Sequence, residues 1–179
     1  GGGTTMSKTI IGEGGYGRAT VGSEFIYTGV DLDDAGVLLI GVGGSTVRDL
    51  SFNANTKAKI ALKVTVRNGA NQTTSESILF ENCCFAKARN VSASCQVQLG
   101  PEPAESISKD VAFIIFNQCK FYSQFDASKS DLSDGVGCYQ GGSSKQFVFK
   151  DCNWAGGRNA LYFAQSSGNI TVTGGFATG

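Results

Sequence analysis

The residues best suited to chemistry are carboxylates in the two longest inserts between predicted strands. These inserts span 101–109 and 123–134, and four of their acids are the candidate catalytic residues: Glu102, Glu105, Asp131 and Asp134. Two carboxyl groups that face each other across a groove act as general acid and as base or nucleophile in glycoside hydrolysis. Loops of neighbouring elements could bring such a pair together. The alternative is that these residues are ordinary acids on solvated loops.

Four aromatic side chains are candidate carbohydrate-binding residues, because an exposed ring can stack on the apolar face of a sugar. They are Tyr122, Phe125, Tyr139 and Tyr162. The prediction depends on these rings being at least partly exposed. If they are buried instead, they pack in the core like the other aromatic residues of the chain.

Composition excludes several classes of function. The chain has 179 residues and no histidine, which removes Ser-His-Asp and Cys-His nucleophile systems and the usual His-containing zinc sites. Fifteen basic and fifteen acidic side chains argue against a basic surface for nucleic acid. No apolar stretch approaches the roughly 18 residues of a membrane span. The sequence predicts no cofactor and no metal site, although Asp31, Asp33 and Asp34 are a weak calcium candidate without an EF-hand loop.

A glycine motif near the start of the chain imitates a nucleotide site. Gly12-x-Gly14-x-x-Gly17 matches a dinucleotide-binding fingerprint, and acids follow near the distance expected for a ribose contact. The fingerprint requires a strand before it and a helix after it. Residues 18–27 are typical of a turn and a strand, so we interpret the glycines as turn residues.

Six cysteines allow two interpretations. They stand at positions 83, 84, 95, 119, 138 and 152, and they could form three disulfides. Disulfide frameworks belong to small secreted domains that lack a core, whereas 41% of this chain is apolar. We therefore favour free, buried thiols that behave as small apolar side chains. Such thiols suit folding in a reducing cytoplasm.

The sequence contains an internal repeat. The unit apolar-x-apolar-x-polar-Cys-x-aromatic occurs at 78–85, 114–121 and 147–154, with weaker copies at 50–55 and 170–176. The equivalent positions 52, 80, 116, 149 and 172 give steps of 28, 36, 33 and 23 residues. A second apolar run precedes each copy. Two strand types therefore alternate, and the loops between them vary in length.

Stacked coils explain these variable steps, because each coil of a solenoid contacts only its neighbours. Equivalent residues would then lie about 4.8 Å apart along the axis. This predicts three columns of side chains. They are an aromatic stack of Phe52, Phe80, Phe116 and Phe149, a thiol ladder of Cys83, Cys119 and Cys152, and a second aromatic stack of Phe85, Phe121, Trp154 and Phe176.

Over residues 10 to 176 this pattern resembles the right-handed parallel β-helix of the pectate-lyase-like superfamily. The stretches 11–17, 25–29 and 43–52 look like the opening coils of that superfamily, and phage and viral tailspikes are the most similar members in style. The resemblance implies an all-β fold of about five or six coils with little or no helix. We expect a leading segment and first coil in 1–36, repeating coils in 37–179, and a chain that is part of a longer polypeptide.

The resemblance implies a structural and attachment module of a virus or phage particle. We expect it to be a homotrimer or to bind other virion proteins, and to contact a surface glycan but no nucleic acid or membrane. One alternative is a glycan-binding module without turnover. The other is a polysaccharide lyase or glycoside hydrolase that uses the loop carboxylates. Against it, the Asn-Thr-Asp, Gly-His-Gly and Arg-Ile-Lys motifs of polygalacturonases are missing, and Asp33-Asp34 is an isolated pair.

Overall fold

The protein is a stack of short parallel strands. The structure, a computed structural model, describes residues 9–12, 23–40, 43–65, 75–100, 111–123, 133–138, 146–163 and 169–178. All regular structure within these ranges is β-strand. The strands in chain order are β1 (Thr9–Ile11), β2 (Ser23–Ile26), β3 (Leu32–Ile40), β4 (Gly43–Arg48), β5 (Leu50–Asn53), β6 (Ala58–Thr65), β7 (Ser75–Glu81), β8 (Cys84–Ala86), β9 (Ser94–Leu99), β10 (Val111–Asn117), β11 (Lys120–Tyr122), β12 (Ser133–Cys138), β13 (Phe147–Lys150), β14 (Asn153–Ala155), β15 (Asn159–Phe163), β16 (Ile170–Thr173) and β17 (Phe176–Thr178).

The strands form three parallel sheets, and every third strand belongs to the same sheet. Sheet 1 has the order β1-β4-β7-β10-β13-β16, sheet 2 has β2-β5-β8-β11-β14-β17, and sheet 3 has β3-β6-β9-β12-β15. Three consecutive strands therefore make one coil, from coil 1 (β1–β3) to coil 5 (β13–β15), and β16 and β17 begin coil 6. This arrangement confirms the predicted all-β parallel solenoid.

Two aromatic columns fill the interior. Phe80, Phe116 and Phe149 stack with ring centroids 5.0 and 5.1 Å apart, as the repeat predicts. The second column runs through five coils, with centroid separations of 5.3 to 5.6 Å, and contains Phe25, Phe52, Phe85, Phe121 and Trp154. Edge-to-face contacts such as Phe85 on Phe116 join the two columns. These are the favoured aromatic geometries, and they exclude water from the core.

Two aromatic residues do not occupy their predicted columns. Phe52 lies in sheet 2 and stacks on Phe85, whereas Val47 takes the place next to Phe80. At the other end, Ala177 and not Phe176 is paired with Trp154. The weaker repeat copies lack the cysteine that fixes the alignment, and their registers were therefore predicted wrongly.

The turn between sheets 1 and 2, here called the short corner, is the most regular part of the fold. Its first residue has a left-handed backbone, with φ between 51° and 67°, in five coils: Asp49, Asn82, Gln118, Asp151 and Gly174. Asn, Asp and Gly adopt this conformation at low cost. The amide of Asn82 donates a hydrogen bond to the Asn117 carbonyl of the next coil, and the corresponding bond recurs from Asp49 to Asp151. The corner therefore continues the inter-coil hydrogen bonding where the sheets are interrupted.

Replacing Phe116 tests whether the aromatic columns hold the coils together. We expect Phe116→Ala to lower the free energy of unfolding in urea by about 3–5 kcal/mol, because a buried ring is lost and a cavity remains. Ile115→Ala is the matched control in the same strand, since Ile115 is exposed, and it should cost less than about 1 kcal/mol. Equal losses for the two variants would contradict the assignment of Phe116 to the core.

Candidate functional site

Of the four candidate catalytic acids, the structure describes only Asp134. Glu102, Glu105 and Asp131 lie outside the described residues. Asp134 does not lie on a solvated loop as the sequence suggested, because it is the second residue of β12 and is completely buried. It is paired with Cys95 of β9 and Asn159 of β15 inside sheet 3. The strand therefore begins earlier than its apolar residues predicted.

The Asp134 carboxylate is occupied by intramolecular hydrogen bonds. It accepts a bidentate pair from Arg158, with Nε to Oδ1 at 3.1 Å and Nη2 to Oδ2 at 2.7 Å. Asn159 Nδ2 donates a third bond to Oδ1 at 2.8 Å. Two parallel bonds between a guanidinium and a carboxylate are a strong, directional pair. With no accessible surface and three accepted bonds, this carboxylate is suited to holding Arg158 rather than to proton transfer to a substrate.

The candidate sugar-stacking aromatic residues fall on different faces. Tyr162 is 39% exposed in sheet 3, and the Arg158 guanidinium carbon lies 5.7 Å from the centre of its ring. Tyr122 is half-buried in sheet 2. Phe125 and Tyr139 lie outside the described residues. The two candidate tyrosines that the structure describes, Tyr122 and Tyr162, therefore belong to separate sheets. Tyr162 has the exposure that a sugar contact requires.

The acids of the first coil form ion pairs with basic residues of later coils. Arg89 contacts Asp31 at 3.3 Å and also bonds Asp33. Asp34 lies 3.4 Å from the buried ammonium group of Lys63. Across the described ranges no group of three or more His, Cys, Asp or Glu side chains is arranged to hold a metal ion. The role of these acids is to pair with cations that the coils bring to sheet 3.

The first glycine of the nucleotide-like motif belongs to the short corner. The Gly12 amide donates to the Arg48 carbonyl at 3.0 Å, and a Cβ at this position would lie 2.2 Å from the Asp49 carbonyl oxygen. The next described element is the strand β2, where the fingerprint would need a helix. Gly14 and Gly17 lie outside the described residues. Close backbone approach explains Gly12 without a nucleotide.

All six cysteines are free and buried. Cys83, Cys119 and Cys152 form the predicted ladder behind the short corner, and each thiol donates to a carbonyl of the preceding coil at 3.4 to 3.5 Å. Burial raises the pKa of Cys119, and it raises the pKa of Cys84 and Cys138 to about 11. The thiols of Cys84, Cys119 and Cys138 are therefore protonated near neutral pH, and they serve as packing groups and not as nucleophiles.

A polar groove on the outside of the short corner was missed by the sequence analysis. This corner groove has a volume of about 550 Å³ and is lined by Arg48, Asp49, Glu81, Asn82, Gln118 and Asp151. Asn82 Nδ2 donates to Asp49 Oδ1 at 2.7 Å, and Asn117 Nδ2 donates to Glu81 Oε1 at 3.2 Å. The polar residue before each repeat cysteine was the available signal, but it was interpreted only as a turn residue.

Comparison with known protein families, with curated proteins and with solved structures found no match for this chain. Among the residues that the structure describes, none belongs to a helix long and apolar enough to span a membrane. Functional inference therefore depends on the fold and on the groups that it exposes.

Thiol labelling tests the buried ladder. We expect N-ethylmaleimide to leave the native protein unmodified at pH 7 and to add six groups after denaturation, because all six thiols are free and buried. Mass spectrometry of the intact chain, without reductant, measures both states. Fewer than six adducts on the denatured chain would contradict the free thiols, and rapid labelling of the native chain would contradict their burial.

The Asp134–Arg158 pair predicts an asymmetric effect on stability. Arg158→Gln leaves a fully buried carboxylate without its cation, and we expect it to lower the free energy of unfolding by about 3–5 kcal/mol. Asp134→Asn leaves Arg158, which water can reach, and should cost less. Urea denaturation of both variants and of the double variant measures the difference. The hypothesis fails if Asp134→Asn is the more damaging change.

Proposed function

We propose that this protein is a structural and attachment module of a virus or phage particle, built on the right-handed β-helix of the pectate-lyase-like superfamily. The observation that carries the proposal is the aromatic column that runs without a break through five coils, from Phe25 to Trp154. Such a column stiffens the molecule along its axis, while loops remain free to vary. Rigidity along an axis with variable loops is what a spike or tail fibre requires.

The chemistry of the described residues supports attachment over catalysis. Asp134, the one candidate catalytic acid whose surroundings are described, is buried and bonded to Arg158. A glycoside hydrolase needs an acid with access to the scissile bond. The corner groove and Tyr162 instead offer exposed polar and aromatic groups, which suit binding of a glycan without turnover.

The ends of the stack support assembly with further protein. Coil 1 exposes Ile11, Phe25 and Ile26, and coil 6 exposes Val172 and Phe176, with between 48% and 59% of each side chain accessible. Solenoid ends also present strand edges that pair with other strands unless they are covered. We propose that further coils of a longer chain, identical subunits as a trimer, or other virion proteins cover these surfaces, after folding in a reducing cytoplasm.

A binding and turnover assay tests this function. The protein is incubated with capsular and cell-wall polysaccharides, bound protein is measured by co-sedimentation, and released sugar is measured by a reducing-end and an ultraviolet lyase assay. We expect binding without release, and Asp134→Asn should behave like the parent chain. Release of oligosaccharide would overturn the proposal in favour of a polysaccharide hydrolase or lyase. Sedimentation equilibrium separately tests the proposed trimer.

A further inference from the structure

An apolar strip crosses the outer face of sheet 1 in the middle of the stack. Phe113 and Ile115 of β10 are 47% and 41% exposed, although strands on both sides cover the edges of β10. The half-buried Leu79 and Val148 are the register partners of Ile115 in β7 and β13. The strip is therefore a lateral surface of the central coils, distinct from the apolar residues at the ends of the stack.

Phe113 has a backbone conformation that aromatic residues seldom adopt. Its φ is 53°, in a column of left-handed residues that also contains Gly44 and Ser77. A left-handed residue with a Cβ costs roughly 1–2 kcal/mol, which glycine avoids. Phe113 is 47% exposed and lies on the outer face of sheet 1, so core packing offsets little of this cost. An aromatic residue that keeps a strained backbone and contributes little to the core suggests that its side chain contacts a ligand or partner.

The strip leads directly to the corner groove. Asn117 follows Ile115 by two residues in β10, and it donates a hydrogen bond to Glu81, which lines the groove. Gln118, the next residue, also lines it. The groove extends over four coils from Asp49 to Asp151, or roughly 14 Å at the spacing of adjacent strands. In coils 2 to 5, whose residues line the groove, the short corner has only one or two residues between its strands and therefore forms no long loop over this surface.

The charges of the groove restrict the chemistry of its ligand. Three carboxylates and one guanidinium line it, so its net charge is negative. Nucleic acids and polymers of acidic sugars would be repelled. A neutral glycan matches the site, because its hydroxyl groups both donate and accept hydrogen bonds while its ring faces are apolar. Each of the four coils places at least one carboxylate or amide group in the groove. The spacing between neighbouring coils is comparable with the length of one sugar residue.

We propose that the corner groove and the strip of Phe113 and Ile115 together bind an extended neutral glycan, with Glu81, Asn117 and Gln118 bonding its hydroxyl groups. This inference rests on the attachment role proposed above and specifies its ligand class and its face. A peptide strand fits less well, because β-addition needs an open sheet edge and β4, β7, β10 and β13 are all paired on both sides.

Binding to defined oligosaccharides tests the ligand class. The whole chain is titrated by calorimetry with neutral hexasaccharides of glucose, mannose and N-acetylglucosamine, and with hexagalacturonate as the acidic comparison. We expect at least one neutral oligosaccharide to bind and hexagalacturonate to bind at least about tenfold more weakly, because the carboxylates repel it. Absence of binding to every neutral hexasaccharide, or equal binding of hexagalacturonate, would overturn the inference.

Phe113→Gly is the sharpest variant for locating the site. Glycine relieves the left-handed strain, so the free energy of unfolding should stay the same or rise, while affinity should fall about tenfold or more through loss of the ring. Glu81→Gln should weaken neutral binding but reduce the discrimination against hexagalacturonate. Leu38→Ala is the control, since it removes an exposed apolar side chain from sheet 3 and should leave affinity unchanged, and Tyr162→Ala tests whether the glycan contacts sheet 3 instead.

The outcomes separate this site from the wider proposal. If Tyr162→Ala abolishes binding and Phe113→Gly does not, the glycan binds to sheet 3, so the inference fails while the attachment role stands. If neutral glycans bind at the corner groove but are cleaved, the site stands and the non-catalytic function fails. If Phe113→Gly unfolds the protein, Phe113 is a structural residue and the inference fails.

Discussion

The constraint on which this structure depends is the hydrogen bonding of each coil to the next in fixed register. Because neighbouring strands are parallel and aligned, a residue is covered by its equivalents one coil before and one coil after. Matching residues are then favoured in each column, and the interior becomes a set of parallel columns of side chains rather than an irregular core. Phe116 illustrates this, since it stacks on phenylalanine on both sides.

The same register explains how far the sequence could be interpreted. Where three landmarks coincide in the repeat, as at Phe80, Cys83 and Phe85, alignment predicts the columns correctly. Phe52 was misplaced because its coil has Leu50 where coils 3 to 5 have cysteine, and two phenylalanines five residues apart are otherwise interchangeable. Within the described residues, periodicity therefore predicts the sheets and the columns, and the aligned cysteine decides which residue of a coil belongs to which column.

The candidate sites were harder to predict, because side-chain chemistry does not indicate which face of a strand a residue occupies. Asp134 follows a polar insert, and only the arginine of the next coil makes its burial possible. Phe113 lies in an apolar run of β10 in which buried and exposed residues alternate, and its left-handed backbone is not evident from the residue type. The groove depends on side chains from four coils, and no single stretch of sequence contains it.

The constant short corner also determines how a chain of this kind can change in length. Successive corner residues Asp49, Asn82, Gln118, Asp151 and Gly174 are 33, 36, 33 and 23 residues apart, and this variation falls in the strand lengths and in the other two turns. Duplicating or deleting the chain from one corner residue to the next would therefore add or remove one complete coil and preserve every column. A single residue inserted at the corner would reverse the faces of the following strand. The coil, and not the residue, is thus the unit by which this architecture can lengthen.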